Sequence, residues 1–317
     1  MRRQVRGEAH GHAHAGCNGR CGGVLTHHAG GQPTIALLQC GRHKWLVTPD
    51  KTYTFLEVDQ LLHLSPFLAS YLNFKHGLYA LKEFGEAVFQ ERGDRYIYSQ
   101  AKLRKAERVS RWLRLLPGVE AVFICNSLAW LNANPSSDLD FFILTKPGKL
   151  WGARLIATTI LKLLRARPGE GSASPICLSF WHDTSTFDLS YLAGANPDYY
   201  LAFWLTNLWP CGVSEFPDRL WSANHWVKKI FPNAWPLIPP PLWTTRFIQP
   251  LAFYFPDPLA YWLSQKLLPP YLRALANQST DVVISPSVIK LHLHDRRAKF
   301  AMEVETITNR LCPILPL

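Results

Sequence analysis

Three short apolar runs around one long apolar helix narrow the fold more than any other feature of this chain. "VEAVFIC" (119–125), "DLDFFILT" (138–145) and "ICLSFWH" (176–182) are too continuous in apolar and aromatic residues to alternate between core and water. Runs of that length and composition read as strands buried on both faces. Between the second and third lies "GKLWGARLIATTILKLLRA", apolar nearly all round, which predicts a buried helix. "NPDYYLAFWLTNLW" predicts another helix, with Asn196 at its cap, Pro197 at its first position and Asp198 in its first turn. An α+β or α/β core over about residues 101–211 follows. With 317 residues, 48% of them hydrophobic, the chain can bury one large core or two modest ones.

Around that core the sequence divides into three further parts. Residues 1–48 are rich in Gly, His and Arg without periodicity, and predict a disordered or loosely packed tail. His10, His12, His14, Cys17 and Cys21 lie there, at spacings that fit no ordinary zinc finger or ribbon. In 49–100, "TFLEVDQLLHL" has helical spacing, and "SPFLASYLNFKHGLYALKEFG" predicts a second helix opened by Ser65 and Pro66. "AVFQERGDRYIYS" then reads as a hairpin around Arg92-Gly93-Asp94, completing a small winged-helix-like segment. "QAKLRKAERVSRWLRLL" is a basic helix whose Arg104, Arg108 and Arg111 share a face, solvated or turned to phosphates. Residues 212–317 are Pro-rich, predict a mainly helical extension, and end in an amphipathic helix over about 296–311.

Net charge is +11 and the pI near 9.4, which favours polyanionic partners such as nucleotide phosphates or nucleic acid. Seven cysteines without paired spacing through the body read as reduced thiols of a cytoplasmic protein. The longest apolar segment is interrupted by Arg154 and Lys162 and is too short to span a bilayer.

"NSLAWLNANPSSDLDFF" holds the chemistry. On a strand, Asp138 and Asp140 point to one face while Leu139 points to the other. Two carboxylates so placed repel each other, and each raises its neighbour's pKa unless a cation lies between them. They are either a solvated strand end or a divalent-metal site.

The order strand, "NS", connection, "SDLDFF" strand resembles the nucleotidyltransferase superfamily that includes DNA polymerase beta, the aminoglycoside nucleotidyltransferases and the antitoxin-type transferases. Its pattern is a hydrophobic residue, Gly-Ser, roughly ten residues, then acidic–hydrophobic–acidic–hydrophobic. Ser127 stands for the family serine, Asp138 and Asp140 for the metal-binding acids, at an interval of 138 − 127 = 11 residues. "SLAWLNANPSSDLDFFILTKPGKLW" with "ICLSFW" looks closer still to uncharacterised bacterial predicted nucleotidyltransferases that carry a winged-helix-like segment in front. The resemblance implies an α+β, polymerase-beta-like core and a magnesium-dependent transfer of a nucleoside monophosphate from a nucleoside triphosphate. The acceptor would be a protein, a small molecule or an RNA end. It implies catalytic roles for Asp138 and Asp140, magnesium on both, and nucleotide contacts at Asn126 and Ser127. Lys146 and Lys149, in the loop after the acidic strand, are candidates for the triphosphate.

Two departures stand out. The family glycine is Asn126, a residue that tolerates the left-handed conformation. The third acid, usually on the next core strand, has no match within "ICLSFWH"; Asp183 just past it is the first substitute and Asp188 the second, while Asp198 reads as a helix cap. The alternative function is a nucleic-acid-binding or regulatory protein whose transferase-like domain is catalytically weakened. His292 and His294 read as ordinary histidines and Cys125 as a small buried side chain.

Overall fold

In the computed structural model the described residues are 24–27, 33–38, 44, 46–47, 53–194, 197–212, 215–236, 255–292 and 297–311. They form a mixed α+β fold with eleven helices and two sheets, and no helix among them is long and apolar enough to cross a membrane.

The first sheet has four antiparallel strands in the order β1-β2-β4-β3. Strands β1 (Val24–His27) and β2 (Pro33–Leu38) lie inside the stretch expected to be a loose tail, and β2 pairs with β4 (Leu78–Leu81). The Cys/His-rich residues 10–21 lie outside the described residues. Helix α1 (Phe55–Leu64) opens on a capping box, with Thr54 and Glu57 each holding the other's backbone N–H. Helix α2 (Pro66–Tyr71) begins on Ser65 and Pro66 as the sequence predicts, but stops at Tyr71. Strands β3 (Leu72–Lys75) and β4 follow as a hairpin. His76 and Gly77, with φ of 53° and 77°, make the tight turn, since a two-residue hairpin favours positive φ at both central positions.

The predicted hairpin at Arg92-Gly93-Asp94 is instead the first half of α3 (Ala87–Leu113), a 27-residue helix. Its buried residues Val88, Phe89, Arg92, Ser99, Leu103, Ala106, Ser110 and Leu113 recur at helical spacing, and tertiary burial overrides the local turn signal of Gly93. Arg104, Arg108 and Arg111 are on its exposed face.

The second sheet has six strands in the order β8-β5-β6-β7-β10-β9. Strands β5 (Val119–Ile124), β6 (Leu139–Thr145) and β7 (Ile176–Asp183) are the three apolar runs, buried on both faces over most of their length. Strand β6 runs antiparallel to β5 and parallel to β7, joined to it by α5 (Leu150–Leu163). Helix α5 buries one face, while Leu163 and Leu164 at its end are exposed, so it is not buried all round. Its N-terminus is held by α9 (Asp257–Leu267): the Asp257 carboxylate accepts from the Gly152 N–H at 2.7 Å. A Cβ on Gly152 would sit 2.8 Å from the Phe255 carbonyl, so the approach needs glycine.

Helix α6 (Tyr199–Thr206) lays Trp204 against Phe142 and Phe180 of the sheet. Asp198 is itself the N-cap of α6, accepting from the N–H groups of Leu201 and Gly194; Asn196 lies outside the described residues. Strand β8 (Trp209–Pro210), α7 (Phe216–Ala223), α8 (Val227–Ile230) and α10 (Pro270–Leu275) complete this part. The sheet also extends past residue 211: β10 (Val288–Leu291) pairs with β7, and β9 (Val282–Ile284) with β10. The region expected to be mainly helical therefore supplies two strands of the core before α11 (Arg297–Leu311).

Candidate functional site

Ser127 and the two aspartates come together where β5 ends and β6 begins. The Cys125 N–H donates to the Asp140 carbonyl at 3.1 Å, tying the exit of one strand to the entry of the other. The chain then turns sharply at Asn126, whose φ is 56°. That is the left-handed region, which asparagine enters at lower cost than most non-glycine residues. Helix α4 (Asn126–Ala129) is a single turn, closed by the Asn132 N–H on the Ser127 carbonyl at 2.8 Å.

The Asn126 side chain does not stand clear of the site. Its Oδ1 accepts from Trp204 Nε1 at 3.1 Å, and the side chain is near enough to lower the pKa of the Asp140 carboxyl. Asp140 and Cys177 are lateral partners in the β6–β7 pairing, on one face, and the two groups perturb each other's pKa. Burial pushes the Asp140 carboxyl up to about 6; the neighbouring polar side chains of Cys177 and Asn126 oppose that push, and the charge of Asp138 adds least to it. Enclosure, more than the repulsion foreseen from the sequence, dominates at Asp140. Asp138 is half-buried, and its pKa is also raised by burial, with the Lys102 ammonium pulling it back.

The connection between Ser127 and Asp138 is held from behind by α3. Arg92 donates to the Leu131 carbonyl at 2.7 Å and, more weakly, to that of Trp130 at 3.5 Å. Leu131 has a φ of 53°, strained for a branched side chain, and the buried guanidinium fixes the carbonyl that this conformation turns inward. Ser99 Oγ accepts from the Ala133 N–H at 2.9 Å, and Lys102 Nζ donates to the Ser137 carbonyl at 2.6 Å and to Ser174 Oγ at 3.3 Å. Lys105 Nζ reaches the Ser174 carbonyl at 2.9 Å. Residues 92, 99 and 102 are spaced for one helix face. Within the loop, Asn134 Oδ1 accepts from the hydroxyls of Ser136 and Ser137, a local side-chain turn that starts the chain toward Asp138.

The other candidates are elsewhere. The parallel register pairs Asp140 with Cys177 and Thr145 with Asp183, so Asp183 is at the opposite end of the sheet, roughly 16 Å along the strand. There it is buried and accepts from the Ser185 N–H at 3.0 Å. Lys146 follows Thr145 at that same far end, its N–H donating to the Gly118 carbonyl at 2.8 Å. Lys149 packs there too, its Cβ against the position a Cβ on Gly118 would take. Asp188 holds the Ser190 N–H at 2.8 Å beyond β7. Sequence proximity to the acidic strand misled here, because Lys146 leaves from the end of β6 that the aspartates do not occupy. His292 lies edge-on to Phe180, and His294 is outside the described residues.

Comparison with protein-family models, curated proteins and solved structures finds no match. The site is therefore read from its own chemistry.

Asp138 and Asp140 offer oxygen donors suited to magnesium, which commonly takes one or two carboxylates and completes its shell with substrate phosphates and water. Beside Asp140, where a third acid on the next strand would stand, is Cys177, its thiol pushed up to about 12 chiefly by burial. No group of three His, Cys, Asp or Glu able to hold a metal exists among the described residues. The donor set fits one ion shared with a phosphate ligand. It does not fit a closed, protein-only cage.

Lys102, Cys177 and Trp204 are the residues at this site that sequence reading missed. Lys102 was hidden by the false hairpin, which cut α3 in two and obscured the 92–99–102 face. Cys177 was readable as the position adjacent to Asp140 once the two strands were taken as parallel.

Proposed function

We propose that this protein binds a nucleoside triphosphate at Ser127, Asp138 and Asp140 and transfers its nucleoside monophosphate to an acceptor, in a polymerase-beta-like core preceded by a winged-helix-like segment. The observation that supports this reading is that the end of β5 leading into Ser127 adjoins the start of β6 bearing the two aspartates, with the connecting loop held by α3. Asp138 and Asp140 would hold magnesium, which when bound neutralises charge growing on the phosphate and leaving oxygens. The chain's own part is placement: Ser127 presents a hydroxyl to the phosphates, Asn126 and Cys177 flank the Asp140 carboxyl, and Lys102 positions the strand entry at Ser137. Preorganised donors of this kind do not have to reorient during reaction.

Purified protein incubated with magnesium and each labelled nucleoside triphosphate tests this. Pyrophosphate release or label on an acceptor, lost in Asp140→Asn, supports transfer; neither product from any nucleotide counts against it.

A second reading rests on Cys177. With a thiol where the third acid of a transferase would stand, the domain retains nucleotide binding without turnover and acts as a regulatory or nucleic-acid-binding protein. Tight nucleotide binding with no pyrophosphate release favours it.

A further inference from the structure

We propose that the seam between α5 and α9 binds a small oxyanion of the phosphate type, anchored by the Arg154 guanidinium with Ser264 and Gln265 as further donors. The inference does not rest on the nucleotide reading above.

It starts from a buried charge without a counter-charge. Arg154, on α5, is only 9% exposed, and its enclosed Nε has no hydrogen-bond partner. Among the described residues, the charged side chain that acts on it is another cation, the exposed Arg167. Burial first, then Arg167, draws the guanidinium down to about 10, so it stays charged at neutral pH. Trp151 offers only its ring, 5.9 Å from the guanidinium, at the outer limit of a cation–π contact. A cation taken out of water is ordinarily paired, because an uncompensated buried charge is strongly destabilising.

The helix packed against α5 carries donors in the same condition. Trp151 meets Tyr261 of α9 edge-on at 4.8 Å, which sets Arg154 beside that helix. Ser264 and Gln265 follow Tyr261 at i+3 and i+4, on the same helix face. The Ser264 hydroxyl and the Gln265 amide nitrogen are each buried without a partner. The carboxylate at this seam, Asp257, is taken up by the Gly152 N–H. Buried polar groups are nearly always satisfied, so three unmet ones on two facing helices point to a ligand. Water would satisfy the hydroxyl and the amide but not the charge of Arg154. An anion does both.

A guanidinium presents paired N–H donors that match phosphate or carboxylate oxygens. Two cations with a hydroxyl and an amide favour a doubly charged group with several acceptor oxygens, hence phosphate. Two sources carry that group. One is free phosphate; the other is a lipid headgroup, to which the exposed Leu259, Trp262 and Leu267 of α9, with Lys266 over the Trp262 ring, are suited.

Thermal melts and titration calorimetry of the full chain at constant ionic strength, with inorganic phosphate against chloride, test the first source. Flotation with vesicles containing phosphatidic acid, against phosphatidylcholine alone, tests the second. Wild type should be stabilised by phosphate, or float only with phosphatidic acid, and which of these occurs identifies the source. Arg154→Met removes the charge while keeping an unbranched side chain, and should bind that phosphate at least about tenfold more weakly. Without ligand it should melt no lower than wild type, because an unpaired buried charge has gone. A purely structural Arg154 predicts the opposite: lower melting in every buffer and an unchanged phosphate response. Should Arg154→Met not fold, Gln265→Leu and Arg167→Gln should each weaken binding several-fold. No response to either form of phosphate overturns the proposal, as does a response that these variants leave intact.

Discussion

Asp140 and Cys177 stand side by side on the parallel strands β6 and β7, close enough for the thiol to lower the pKa that burial raises at the carboxyl. An acid and a neutral sulfur thus occupy neighbouring positions on one face, and the sulfur tempers the push that burial exerts on the carboxyl.

The raised pKa of Asp140 predicts how its removal changes stability. Burial favours the protonated acid in the folded state, so the folded protein binds the proton more tightly than the unfolded chain. Stability from that proton is complete below about 3.8 and is lost as pH rises through about 6. Asp140→Asn should therefore melt like wild type near pH 4 and be more stable at pH 7, by about 2 kcal/mol after allowing for the water that reaches this partly exposed residue. Thermal melts across that range check it. Equal stability at pH 7 would mean that the carboxylate is well solvated.

Arg92→Met keeps much of the buried volume while removing the donor to the Leu131 and Trp130 carbonyls. Leaving those groups unmet beside a left-handed leucine should cost about 2–3 kcal/mol in urea unfolding. Nucleotide binding should weaken as the Ser127–Asp138 connection loosens. A loss of stability with unchanged binding would separate the loop from the site.

The far end of the sheet gives a contrasting pair. Asp257→Ala removes the acceptor for the Gly152 N–H and should cost about 1 kcal/mol. Gly152→Ala should cost more, because its Cβ would press on the Phe255 carbonyl at 2.8 Å. Neither should alter nucleotide affinity, since Gly152 opens the helix that follows the end of β6 remote from Asp140. A nucleotide-binding defect in either variant would show that the two ends are coupled.

How legible the fold was depended on where the decisive contacts lie. Strands β5, β6 and β7 were readable because both their faces are buried, which writes a continuous apolar run into the sequence. Asp138, Asp140 and Ser127 form a local motif, and the structure sets the end of β5 before Ser127 against the start of β6. Helix α3 was not readable, because Gly93 signals a turn while the burial of Val88, Phe89 and Arg92 comes from residues far along the chain. The hairpin at His76-Gly77 was hidden inside an apolar stretch whose spacing suits a helix equally well. Asp183 and Lys146 lie away from Asp140 because each belongs to the C-terminal end of its strand: Lys146 follows the last residue of β6, and the parallel register sets Asp183 beside Thr145.

Titration calorimetry of the full chain with a non-hydrolysable nucleoside triphosphate and magnesium tests most directly whether Ser127, Asp138 and Asp140 are one nucleotide site. Saturable binding is expected, weakened at least tenfold by Asp138→Asn, about 1.4 kcal/mol, and unchanged by Asp183→Asn. No binding, or binding that Asp138→Asn leaves intact, would contradict it.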